Sequence, residues 1–396
     1  MAVVLGVVFY QPQTSDVLNS LSSSDTSPHE NTQSHSFESE LADSKDTTSS
    51  TENDITSSPP EEPTIDYLQE GGKLELPVIG ASGYAAVALY LYEAPDSNSN
   101  ALLSLEAGQG FTIVSETDQW WNVTIGDVTG WVAHHLCLIN LPDVIPSIIY
   151  NHTNSYASIM HSSGIDIPNI TNQALYQTQA YNNRFNQDEF IVPILYATSK
   201  KICKAQQAAL ADGNTLIIYE AFRPYEIQQI IVKNLSDLID TNPIVKAGVT
   251  TSPWSINWFV ATSLSNHQRG VAIDVSLGQI NEQKTKITGG YVYKQIISYT
   301  EYEMQTAMHE LSATSAIFKK PVSSISDTEW RDVELAATVT EASVLLQTYC
   351  SNAGLTPLAS EWWHFNDLEN ADIAKEIGNT GQYFIHQSFS TPPKDF

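Results

Sequence analysis

Two histidines, two carboxylates and an arginine, spread over three short segments, are the residues of this chain best suited to do chemistry. The first segment runs from Tyr219 through Glu220, Phe222 and Arg223 to Pro224. The second holds Ser265, His267, Gly270, Ala272 and Asp274. The third is Glu361, Trp362, Trp363, His364 and Phe365. His267, His364 and Asp274 supply two neutral imidazoles and one carboxylate, a three-ligand set for a zinc that keeps a fourth position open. Glu361 adds a spare carboxylate and Arg223 a guanidinium, which metal-assisted hydrolysis needs next. The pattern points to an enzyme.

The spacings say what must position these groups. His267 and Asp274 stand too far apart for one helix face, where neighbours sit three or four residues apart. They fit a loop His followed by a strand, with Gly270 turning the chain between them. Along that strand Val271, Ile273 and Val275 point one way, while Ala272 and Asp274 point the other. A lone carboxylate on such a face needs a partner, and a metal is the strongest available. Glu361 and His364 would face opposite sides of a flat strand, so both reach one metal only if the chain bulges between them. Glu361 is the expected general base. Arg223, held between the buried strand Leu216-Ile217-Ile218-Tyr219 and Pro224, is the expected oxyanion stabiliser. Its competing role is a structural ion pair with a carboxylate.

Further elements follow from patterning. A helix is expected from Ser199 as cap to Ala211, stopped at Gly213, and another from Pro224 to about Ile239. A third is expected from the Ser326-Asp327 cap to about Asn352, before Gly354. Helices and strands without regular βαβ alternation indicate an α+β domain over residues 150–396. Residues 76–142 carry short β-branched and aromatic runs between turns, which indicates a small all-β barrel. Residues 11 to about 72 are rich in Ser, Thr, Asp and Glu, and are expected to form a disordered tether. The apolar run over the first ten residues is too short to span a bilayer. It is expected to be the tail of an export or anchor segment, so that residues 1–75 form a remnant plus linker.

The chain has 396 residues and a formal charge of −27. Such a charge repels nucleic acid and anionic lipid, so neither is expected as a partner, beyond a possible N-terminal anchor. Arg184, Arg223, Arg269 and Arg331 are the only arginines, and two of them fall in the three segments. Cys137, Cys203 and Cys350 do not make a disulfide framework. Cys203 and Cys350 are expected either to pair or to sit as buried apolar residues.

The 76–142 region resembles the bacterial SH3-like domain. The matching features are Pro95 after the first strands, Gly110 before a hydrophobic strand, Trp120 and Trp121 in the next, and Gly130-Trp131-Val132 near the end. In that family such modules often bind cell-wall peptides. Two of Trp120, Trp121 and Trp131 are expected to fill the small core.

Residues 150–396 resemble the D-alanyl-D-alanine dipeptidase family of zinc peptidases, the vancomycin-resistance type. Ser265 to Asp274 matches a Ser-x-His-x-x-Gly-x-Ala-x-Asp motif, Glu361 to His364 matches Glu-Trp-Trp-His, and Tyr219 to Pro224 matches Tyr-x-x-aromatic-Arg-Pro. The resemblance implies one zinc per chain at His267, Asp274 and His364, Glu361 as base and Arg223 as transition-state stabiliser. Ser265, Tyr219 and Glu303 would serve the substrate. The family's Asp-Met-Gly-Thr segment reads Glu303-Met304-Gln305-Thr306 here, and His309-Glu310 just after is a further candidate for the pocket. Glu303 keeps the charge that pairs with a substrate ammonium, and Gln305 reshapes that corner. The expected substrates are D-Ala-D-Ala or D-Ala-terminated peptidoglycan peptides, cleaved outside the cell or at its wall. A carboxypeptidase trimming stem peptides is the near alternative. A catalytically inactive wall-binding protein is the distant one.

Overall fold

A computed structural model describes residues 74–150, 158–176 and 179–393. The expected anchor remnant and the expected tether lie outside the described residues. Strands β1 (Ser82–Ala85), β2 (Leu89–Tyr92), β3 (Ala101–Leu105), β4 (Gly110–Glu116), β5 (Trp120–Ile125), β6 (Val128–Ala133) and β7 (Cys137–Asn140) build the barrel region. Beyond it come β8 (Ile149–Tyr150) and two short hairpins, β9 (His161–Ser162) with β10 (Ile165–Asp166) and β11 (Gln179–Asn182) with β12 (Gln187–Phe190). Then follow β13 (Pro193–Leu195), β14 (Asn214–Glu220), β15 (Ala272–Thr288), β16 (Tyr291–Glu301), β17 (Thr356–Leu358) and β18 (Glu361–Asn366).

Two sheets organise the described chain. One has the order β13-β7-β1-β4-β5-β6-β2-β3, and the other β17-β18-β15-β14-β8 with β16 on β15. The first closes over Leu91, Phe111, Ile113, Trp121, Val123 and Val132, all essentially inaccessible. Alternation along β5 and β6 sends Trp121, Val123 and Val132 inward. Trp120 and Trp131 lie on the other face and stay part exposed, so one of the three tryptophans fills the core rather than two.

The barrel is stitched to the larger α+β region. β13 pairs antiparallel with β7, and the C-terminal segment runs across β1 and β4. There Phe389 N donates to Ser82 Oγ at 2.8 Å, and Tyr84 OH donates to the Gln387 carbonyl at 2.9 Å. Gly110 is required for this contact, since a Cβ there would lie 2.1 Å from the Phe389 ring.

The second sheet carries the chemistry. Its long strand β15 lies antiparallel between β14 and β18. The helix Tyr196–Ala211 and the helix Tyr225–Thr241 flank it. The first begins three residues before the expected cap. Ser199 lies inside it and donates to the Tyr196 carbonyl at 2.7 Å, while Gly213 (φ 75°) does end it. The expected helix from Ser326 to Asn352 is replaced by a 3-10 turn, Glu329–Asp332, and a helix over Glu341–Asn352. Ser326 Oγ caps just the turn by accepting from Glu329 N, whereas Thr340 Oγ1 accepts from Ser343 N and starts the true helix. Cys137, Cys203 and Cys350 are buried and unpaired. Among the described residues no helix is long and apolar enough to cross a membrane.

Glu75 is a buried carboxylate at the start of the described chain. Its oxygens accept from Ser147 N (2.9 Å) and Ser147 Oγ. Burial pushes its pKa up to about 7 against those hydrogen bonds. A carboxyl raised on folding stabilises least when ionised, so stability falls as pH rises from the unfolded value toward 7. Glu75→Gln is therefore expected to match the wild type near pH 4.5. By pH 8 it should exceed it, by up to about 3 kcal/mol at about 1.4 kcal/mol per pH unit. Thermal melts across that range check it, and equal melting temperatures at pH 8 would refute it.

Candidate active site

Register brings the site together. Asp274 on β15 faces Glu220 on β14 and His364 on β18 in one row across three strands. His267 reaches the same point from the loop before β15, where Gly270 (φ 69°) makes the turn back into the strand. Arg223 follows β14 directly. The expected bulge between Glu361 and His364 is present: Pro357 pairs with Phe365 and Leu358 with Glu361, so extra residues of β18 are accommodated there. That places Glu361 Oε2 3.7 Å from His364 Nδ1.

Three donor atoms converge. His267 Nε2 lies 3.2 Å from His364 Nδ1 and 3.3 Å from Asp274 Oδ1, and His364 Nδ1 lies 2.9 Å from Asp274 Oδ1. Both rings spend their other nitrogen outward. His267 Nδ1 donates to the Ala221 carbonyl (2.6 Å), and His364 Nε2 donates to Asn366 Oδ1 (3.0 Å). With that tautomer, lone pairs of two imidazoles and a carboxylate face one another, an arrangement that a shared proton or a cation between them stabilises. Zinc ligands at about 2.0–2.1 Å in a tetrahedron stand about 3.3–3.4 Å apart. The two spacings from His267, 3.2 and 3.3 Å, match that edge length and the His364–Asp274 spacing of 2.9 Å is shorter, so a small movement of one side chain lets these residues fit the metal.

Burial works to raise Asp274, but His267, His309 and His364 around it hold its carboxyl well below the usual carboxylate range. Burial pushes His267 down. Burial works the same way on His364, yet its hydrogen bond to Asp274 holds it above the ordinary histidine value. Burial also pushes Glu361 up to about 8, against the pull of His364. A carboxylate so raised is a stronger base than one in water.

Arg223 is held on three sides. Nε and Nη2 donate to the two oxygens of Glu220, Nη1 donates to Gln228 Oε1 (2.6 Å), and Nη2 stands 3.4 Å from Asp274 Oδ2. The ion pair weighed from sequence thus exists, and it aims the guanidinium at the donor cluster. Glu220, Asp274 and His309 also lie close enough together to hold a cation. Arg223 already satisfies Glu220 there, and His309 Nε2 donates to Asp274 Oδ2 at 3.1 Å.

A cleft of about 760 Å³ opens over this cluster. Arg223, Ser265, His267, Asp274, Glu361 and His364 all line it, together with His309, Trp258, Phe259 and Trp363. Ser265 Oγ is buried there without a hydrogen-bond partner. Tyr219 and Glu303 are not among the lining residues. Tyr219 OH donates to Glu301 at 2.9 Å, and Glu303 is exposed. The segment after Glu303 braces the site instead, since Trp362 Nε1 donates to Thr306 Oγ1 (3.0 Å). His309, a further pocket candidate from sequence, does reach the cluster, in a left-handed backbone conformation (φ 59°). Glu310 turns away and accepts from Gly164 N (3.0 Å). Glu220 and Asn366 received no role from sequence reasoning. Their signal was positional: Glu220 lies three residues before Arg223, and Asn366 shares a strand face with His364.

A bulged strand that sets the Glu361 carboxylate beside three converging donor atoms in a cleft is an arrangement suited to hydrolysis. Residues 151–387, more than half of the chain, match the family model described as D-ala-D-ala dipeptidase, and the chain belongs to that family. It is accordingly a peptidase. Residues 87–136 match the bacterial SH3 domain. Among curated proteins none matches this chain.

Proposed function

We propose that this peptidase hydrolyses the peptide bond of a D-Ala-D-Ala terminus, with zinc held by His267, Asp274 and His364 and with Glu361 as general base. The observation that carries this reading is the convergence of three lone-pair donors within 3.3 Å, with the Glu361 carboxylate beside them. When bound, zinc supplies Lewis-acid polarisation of a carbonyl and acidifies water. The chain's own residues do the rest. Glu361 takes the proton of the attacking water and hands it to the leaving amine. Arg223, fixed by Glu220 and Gln228, offers positive charge toward the developing oxyanion. Ser265 Oγ offers a polar contact to substrate, and Trp258, Phe259 and Trp363 limit water in the cleft.

A second reading, cleavage of longer cell-wall stem peptides in the manner of a carboxypeptidase, is favoured by one observation. The carboxylates lining the cleft are Asp274, Glu361 and Asp372, and Glu303 is not among them. A free dipeptide's ammonium is therefore not met by the carboxylate that the resemblance assigns to it. Incubation with D-Ala-D-Ala beside a stem pentapeptide, with products read by mass, separates the two. Release of free D-Ala from either supports the peptidase reading, and the faster substrate sets the class. No cleavage of either, with less than about one zinc per chain under zinc supply, would leave an inactive wall-binding protein. An extracellular or wall-associated location is part of the proposal. A wall substrate, the bacterial SH3 match and the tether-like composition of residues 11–72 support it.

A further inference from the structure

Arg223 and the His267 loop come from distant parts of the chain, yet a hydrogen bond joins them: Arg223 N donates to the His267 carbonyl at 3.3 Å. A single long bond between two irregular segments needs support from behind.

Part of that support is the barrel. β13, the end strand of the barrel sheet, bonds to both segments. Phe222 N donates to the Pro193 carbonyl at 3.2 Å, and Leu195 N donates to the Gly270 carbonyl at 2.8 Å. Beside β13 runs β7, whose Leu138 closes on the same turn. A Cβ on Gly270 would lie 2.7 Å from Leu138 Cδ2. Tyr84, Ala86 and Leu138 of the barrel share one buried apolar cluster with Phe222 and Val271. Phe222 directly precedes Arg223, and Val271 follows Gly270 into the strand.

The C-terminal segment supplies the rest. The Tyr383 ring stacks on Phe222, with centroids 5.0 Å apart and planes 13° from parallel. Tyr225 N donates to the Gly381 carbonyl at 2.9 Å, and Asn379 Nδ2 donates to the Arg269 carbonyl at 3.1 Å. The segment is thus bonded to the chain just after Arg223 and just after His267. A Cβ on Gly381 would lie 2.8 Å from the Gln268 carbonyl oxygen, so the approach is as close as backbone allows. The same segment then crosses β1 and β4, where Gln387 and Phe389 bond to Tyr84 and Ser82.

We propose that the barrel and the C-terminal segment act together as a support that sets Arg223 against the His267 loop, with Leu138 and Tyr383 as positioning residues of the peptidase centre. The barrel is then a working part of the site. Close packing passes a small displacement from Leu138 or Tyr383 to the segments they touch. A shift of about 1 Å in a positioned group costs up to about a hundredfold in rate. The proposal rests on the roles proposed above for Arg223 and His267, so its test includes a measurement that needs no turnover.

The test compares variants of the full chain by amide hydrogen exchange and by D-Ala release from a stem pentapeptide. In Tyr383→Ala and Leu138→Ala, amides of residues 219–225 and 266–272 are expected to exchange faster, while those of 215–218 on β14 stay slow. Turnover is expected to fall about tenfold to a hundredfold, with KM changed by less than about threefold. Tyr383 is half-buried, and Tyr383→Phe keeps the stacked ring and is expected to match the wild type. Leu91→Ala is the control for general loosening, since Leu91 is as buried as Leu138 but lies on β2 toward the far end of the sheet. It is expected to lower the melting temperature and leave exchange in both segments, and turnover, at wild-type values. Wild-type exchange in both Tyr383→Ala and Leu138→Ala would overturn the proposal. Faster exchange with wild-type turnover would make the contacts structural alone and would overturn it too, as would equal effects from Leu91→Ala. A wild type that releases no D-Ala counts against the proposed function, and the exchange comparison then decides the support by itself.

Discussion

Glu361→Gln is expected to retain zinc and lose nearly all turnover. Gln is close to isosteric with Glu, and Glu361 stands 3.7 Å from His364 while the converging donors are His267, Asp274 and His364. The amide therefore leaves the donor set intact. What it removes is a carboxylate that burial has raised to about 8, the group proposed to carry a proton from water to the leaving amine. Loss of a positioned general base costs about 10²–10⁴ in rate, and the upper end applies here because the same group serves both proton transfers. The check is kcat for D-Ala release alongside zinc per chain. A variant with full zinc and more than about a tenth of wild-type kcat would remove Glu361 from the mechanism.

His267→Ala is expected to lose metal and activity together. His267 supplies one of three donors, and its ring is held in place by the Ala221 carbonyl. With two donors left, Asp274 and His364 close on one another through a shared proton, as their 2.9 Å separation allows. Loss of a zinc ligand from a three-ligand site should weaken binding by at least about a hundredfold, since even outer-shell partners are worth 10–100-fold. Zinc content after dialysis and kcat are the readouts, and near-ultraviolet circular dichroism shows whether the fold is kept. Wild-type zinc content in this variant would sink the assigned ligand set.

Much of the site was legible because its parts are local. A loop His, a turning glycine and a strand Asp announce themselves within residues 265–274. The bulge between Glu361 and His364 followed from the two-residue period of strands. The ion pair of Arg223 was anticipated as an alternative, though its partner Glu220 was not named. Helix starts were less legible, because a Ser or Thr before an acidic residue caps a single turn as readily as a helix, as Ser326 and Thr340 show. The tryptophans of the barrel misled for a related reason. Apolar character alone does not say which face of a strand is covered, and Trp120 and Trp131 lie on the face that stays part exposed.

Composition and motif spacing by themselves determined the class of this protein: an acidic chain with an SH3-like barrel before an α+β peptidase domain, and the donors His267, Asp274 and His364. Tertiary structure alone decided that Glu220, Asp274 and His364 stand in one row, that His309 rather than Glu303 borders the cleft, and that the barrel shares a sheet with Pro193–Leu195. The physical reason is that residue chemistry is written along the chain, whereas strand register and the choice of covered face depend on contacts between segments a hundred or more residues apart.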